Sequence, residues 1–197
     1  MPLDNTYGMV LYSRLPLQAP EVEYLVEDDV PSIHADVLLD GRRVALRFIH
    51  PTPPVPTESL DSTERDAELM LVGREVRGLD RPAVVAGDLN DVAWSRTTRL
   101  FQRISGTLDP RRGRGFYASF HARYPFLRWP LDYVFHTEHF ELVALERLGP
   151  NGSDHFPILV ALRLTPDARQ EQDRPDPAPG DREEAEEQIE EARREED

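Results

Sequence analysis

Eight short runs rich in β-branched and aromatic residues punctuate residues 1–165, and they restrict the fold more than any other feature. They are Gly8–Ser13, Val22–Val26, Ile33–Leu39, Val44–His50, Pro82–Gly87, Asp132–His136, Phe140–Leu145 and Pro157–Leu164. Asp40-Gly41 between the third and fourth runs is a tight-hairpin signal and predicts antiparallel neighbours there. Ser62–Leu79 has helical spacing, with a capping-box start at Thr63 and Asp66, and a second helix is expected over Arg96–Ile104, stopped at Gly106. Hairpins plus at least one helical crossover imply a mixed α/β layered sandwich, and not a regular βαβ array.

Charge divides the chain. The formal net charge is −14, every basic residue is arginine, and there is no cysteine, so disulfides, thiolate metal sites and cysteine nucleophiles are excluded. Residues 166–197 hold 14 acids against 5 arginines. This stretch combines a proline-rich spacer with an acidic run whose only large aliphatic residue is Ile189, and it reads as a disordered solvated tail with no stripe to dock. Residues 95–128 are the opposite, with eight arginines against Asp109 alone and interleaved aromatics. No run is long enough for a membrane span, and the first residues show no secretory signal.

Polar residues stand where several strand-like runs end. Val84-Val85-Ala86 leads into Gly87-Asp88-Leu89-Asn90, with Asp88 and Asn90 expected on one side by the period of two. Asp132 opens the run Asp132–His136, His50 closes another, and Gly152-Ser153-Asp154-His155 precedes a third. A single strand-end aspartate is ordinarily a cap or turn residue, and a single histidine ordinarily structural. Four such ends in one domain match what phosphoester hydrolysis needs. A histidine takes a proton from water near neutral pH, and a carboxylate fixes its tautomer. An oxygen ligand such as Asp154 suits Mg²⁺, with Mn²⁺ a second option, and an amide such as Asn90 can donate to a phosphate oxygen without repelling it.

GDLN at Gly87–Asn90, LDYVF at Leu131–Phe135 and SDHFP at Ser153–Pro157, in that order, resemble the endonuclease/exonuclease/phosphatase superfamily. YGMVLYSRLPL at Tyr7–Leu17 and His50-Pro51 extend the resemblance over about Tyr7 to Leu164. The resemblance implies that His155 is the base or phosphate-stabilising histidine and Asp132 its orienting carboxylate. It makes Asp88 the residue that aligns water, Asn90 the phosphate-binding amide, His50 the second histidine and Asp154 a Mg²⁺ ligand. It implies a partial four-layer α/β sandwich, two packed mixed β-sheets flanked by helices, and two further strands ahead of Tyr7, the second bearing a metal-binding glutamate. No residue upstream of Tyr7 takes that place. The expected organisation is therefore residues 1–165 as a domain lacking its first strands, followed by the tail 166–197.

The implied activity is Mg²⁺-dependent hydrolysis of a phosphodiester or phosphomonoester on a nucleic acid, phospholipid head group or inositol phosphate. Arg111, Arg112 and Arg114 form an arginine-glycine loop that could hold phosphate by forked guanidinium contacts. One alternative is a non-catalytic remnant acting as a binding module. A dinuclear metallophosphoesterase is a lesser one, since its D-x-H and G-N-H motifs do not occur. Compartment stays open, because some relatives with stretches like Asp4–Arg14 and Phe120–Asp132 carry transmembrane helices ahead of an extracytoplasmic domain.

Overall fold

A computed structural model describes residues 5–53 and 62–195. Its main sheet has five strands in the order β1-β2-β3-β4-β5: Leu17–Glu23, Ser32–Leu39, Arg42–Phe48, Ala83–Asp88 and Asp132–His136. The Asp40-Gly41 turn joins β2 and β3 antiparallel, with both residues at positive φ as a tight hairpin demands. The crossover helix α1, Thr63–Gly78, then brings β4 back parallel to β3, and β5 closes the sheet antiparallel to β4. A second sheet pairs β6, Phe140–Arg147, with β7, Ile158–Leu164.

Alternation along the strands builds a core on each face of the main sheet. Ala45, Ala83, Val85, Tyr133 and Phe135 face α1 and α2, Arg96–Ser105, where Leu69, Met70, Leu100 and Phe101 complete the larger cluster. Val37, Val44, Leu46 and Val84 face the second sheet and pack on Phe140, Leu162 and Leu164. The expected α/β two-sheet architecture with flanking helices is the one observed.

Three expectations are corrected. Gly8–Ser13 is not a strand. Met9–Leu11 borders a cavity shared with Ile33, Phe48–His50 and Ala86–Asp88, at the ends of β3 and β4, which already pair on both sides and leave it no ladder. The Thr63 capping box does not form. Ser62 precedes the helix, and its hydroxyl donates to Asp66 at 3.0 Å. The tail is also not solvated throughout. After a short turn of helix α3, Ala168–Glu171, residues Asp181–Glu195 form α4, which packs on α1 and α2. Ala185, Ile189 and Ala192 are buried, a narrow stripe at helical spacing, and Ile189 joins the main cluster. Ion pairs Arg103–Asp181 at 2.6 Å, Arg96–Glu184 at 2.6 Å and Arg74–Glu186 at 2.5 Å line the seam. The tail acids are the counter-charges of arginines far upstream, which one-dimensional reading of a charge run misses.

Candidate active site

Strand order sets the site. Because β3 and β4 run parallel and β5 runs back, the ends of β3 and β4 and the start of β5 meet at one edge. Asp88 and Asp132 are directly opposite in the β4–β5 register, and His50 stands just beyond β3. Gly87 allows this closeness. Its φ is +153°, and an added Cβ would lie 1.8 Å from the Ile49 carbonyl oxygen. The glycine therefore serves backbone approach within β4, and the turn itself falls at Asn90, with φ of +49°.

His155 arrives from the loop before β7. Its Nδ1 lies 2.7 Å from Asp132 Oδ2, and its Nε2 lies 3.5 Å from Asp88 Oδ2. His50 Nε2 is 3.9 Å from the same Asp88 oxygen, and its ring meets Tyr7 edge-on at 5.6 Å. The structure thus brings Asp88, Asp132, His155 and His50 together at one edge. Burial pushes the Asp88 carboxyl up from its ordinary value, and the Asp132 charge opposite adds to it; the Asn90 amide and both histidines oppose this. Burial works against a charged His155 ring, but Asp132, then Asp88 and Asp154, outweigh it and hold the pKa above its ordinary value.

Asn90 is drawn in by its own loop. Its backbone N–H donates to Asp88 Oδ1 at 2.9 Å, and its Nδ2 donates to the Pro51 carbonyl at 2.9 Å. An amide carries two N–H bonds, so one remains for a phosphate oxygen. Arg65 on α1 supports the turn from behind, donating to the Asn90 carbonyl at 3.0 Å. Asp154 stands at the rim: it is exposed, with its carboxylate 3.4 Å from the Ser153 hydroxyl, and its charge acts on the His155 ring.

The arginine loop divides. Arg111 is buried, not phosphate-facing. It pairs with Asp109 at 2.8 Å, stacks 3.8 Å over the Tyr133 ring, and donates to the Pro130 and Asp132 carbonyls. A guanidinium with two carboxylate contacts and an aromatic face is satisfied inside the fold and buttresses the start of β5. Arg114 donates to the Pro110 carbonyl at 3.1 Å, and Arg112 is exposed beside a groove shared with Trp94 and Phe116.

Ser119 is a contributor the sequence did not reveal. Fully buried, its hydroxyl accepts from the amides of Leu131 at 3.2 Å and Asp132 at 3.1 Å. Its carbonyl accepts from the Phe156 amide at 2.7 Å. One residue thereby ties together the two segments that carry Asp132 and His155. No motif signals a buried serine inside an arginine-rich loop.

One donor atom each from Asp88, Asp132 and His155 lies within 4.8 Å of the others, a group that could hold a metal ion. The two facing carboxylates, whose repulsion adds to the burial that raises the Asp88 pKa, fit a cation in charge as well as spacing.

A family model described as "Endonuclease/Exonuclease/phosphatase family" matches residues 2–155. The chain belongs to this family. Among solved structures, the family member from Leptotrichia buccalis C-1013-b aligns at 15% identity and a TM-score of 0.59, covering 77% of this chain and 63% of that one. The human Nocturnin catalytic domain with bound sulfate anion aligns at 15% and 0.57, covering 77% and 61%. D. rerio TDP2 complexed with single strand DNA product aligns at 18% and 0.57, covering 76% and 69%. At these identities the likeness is one of fold, and the chain spans less than two thirds of the first two. No curated protein matches the sequence significantly. Among the described residues, no helix is long and apolar enough to cross a membrane.

Proposed function

We propose that this family member hydrolyses a phosphoester at the edge where β3, β4 and β5 meet. The observation that carries the reading is the 2.7 Å His155–Asp132 pair facing Asp88. Asp132 accepts a hydrogen bond from Nδ1–H, which leaves Nε2 as the atom to take a proton from water. Asp88 lies within reach of both histidine rings and orients that water. Asn90 donates its free N–H to a non-bridging oxygen, and His50 polarises or protonates the leaving side. A divalent cation, Mg²⁺ or Mn²⁺, held by the carboxylates here with Asp154 at the rim, would neutralise charge developing on the phosphoryl group. The substrate carries phosphate on a nucleic acid, a phospholipid head group or an inositol. The sulfate on Nocturnin and the DNA product on TDP2 support an anion-accepting site in this fold.

The test is hydrolysis of bis(p-nitrophenyl) phosphate with Mg²⁺, Mn²⁺ and chelator. His155→Ala is expected to reduce the rate about 10²–10⁴-fold, the usual contribution of a positioned acid or base. Activity that survives the substitution would remove His155 from this role.

A further inference from the structure

The loop between Phe120 and Trp129 stands against the site and is not used by the mechanism. Its stem is anchored. Phe120 and Trp129 bridge, His121 donates to the Leu127 carbonyl at 2.9 Å, and Leu127 closes a turn on Tyr124 at 3.2 Å. The tip is apolar and turned outward. Phe126 is 95% exposed, and Tyr124, Leu127 and Trp129 are exposed around it. Soluble surfaces seldom display contiguous apolar groups of this kind without a partner.

Charge identifies the partner. From Pro110 to Leu131 there is no acidic residue in a protein whose net charge is −14. Arg123 is exposed beside the tip, and Arg128 sits in the stem with its guanidinium 5.1 Å from the Phe156 ring. Aromatic and leucine side chains at a convex tip, flanked by arginines, are the composition of a segment that enters the head-group layer of an anionic membrane. A single-stranded nucleic acid is served instead by a concave cationic groove with stacking faces, and Leu127 offers no such face.

We propose that the Tyr124–Leu127 tip is a lipid-docking element that seats the protein on an anionic bilayer surface. Docking places the catalytic edge close above the head groups. Phe120 lies 4.9 Å from the His155 ring, the Ala122 amide donates to the Asp154 carbonyl at 2.6 Å, and Arg123 reaches the Gly152 carbonyl at 3.4 Å. The loop base and the segment bearing His155 are thus one joined unit.

The experiment is flotation of the full chain with vesicles of phosphatidylcholine mixed with phosphatidylserine, against phosphatidylcholine alone. The chain is expected to float with the mixed vesicles, less so as salt rises. The double variant Phe126→Ser, Leu127→Ser is expected to lose about tenfold or more in partitioning, with an unchanged unfolding midpoint because both residues are exposed. Arg123→Gln is expected to lose about fivefold on mixed vesicles only. No flotation, or flotation that the double variant keeps, overturns the proposal. So does an oligonucleotide whose binding, and not that of vesicles, depends on Phe126. Turnover is not measured, so failure here leaves the hydrolytic reading intact, and His155→Ala should float like the parent chain.

Discussion

Glu68 offers the sharpest quantitative test of the fold, because a carboxyl is sealed inside it. The side chain lies on α1, 3% exposed, and accepts a 2.7 Å hydrogen bond from the Ser32 hydroxyl. Burial pushes its pKa from 4.5 up to about 7, against the Ser32 bond that lowers it, and Glu27 nearby raises it further. The folded state therefore binds the proton more tightly than the unfolded chain. Its stabilisation is full below about 4.5 and is lost as pH rises through about 7. At about 1.36 kcal/mol for each pH unit between those values, the loss totals about 3 kcal/mol, of which about 2 falls between pH 5.5 and 8.5. Glu68→Gln keeps an acceptor for Ser32 and carries no charge. Urea unfolding of both proteins across that range should show the variant gaining on the parent by about 2 kcal/mol as pH rises. Other acids titrate in both chains and cancel in the difference. A difference that stays flat with pH would refute the reasoning.

Gly87→Ala should yield little folded protein in a soluble-expression and circular-dichroism comparison, since its Cβ would lie 1.8 Å from the Ile49 carbonyl oxygen. Ile189→Ala should lower stability by about 2–5 kcal/mol in urea titration, the range for a large aliphatic residue in a closed core. Ser119→Ala should cost at least about 1–3 kcal/mol by leaving the Leu131 and Asp132 amides without their acceptor, and should lower kcat more than it raises KM; Ser119→Thr, which restores the oxygen, should recover part of both.

Much of this arrangement could be read from the residues alone, for reasons that are local. Val84–Ala86 running into GDLN predicts a strand with a polar end, and β4 ends on Asp88. The hairpin at Asp40-Gly41 and the helix over 63–78 follow from turn chemistry and spacing. What escaped depends on partners distant in sequence. Arg111 looks like a phosphate ligand until Tyr133 and Asp109 are seen to enclose it. Asn90 looks free until the Pro51 carbonyl is found on its amide. The acidic tail looks solvated until Arg74, Arg96 and Arg103 supply its counter-charges.

That last feature bears on how the protein can be divided. The family match stops at residue 155, yet the interior continues to Ala192. A cut at residue 165, just past the last strand, would strip Ala185 and Ile189 from α1 and α2. It would also leave Arg74, Arg96 and Arg103 as an unneutralised cationic face over an opened apolar seam. Such a fragment would be sticky and would bind any polyanion in the preparation. Nucleic-acid affinity measured on it would report the missing helix and say nothing of the substrate.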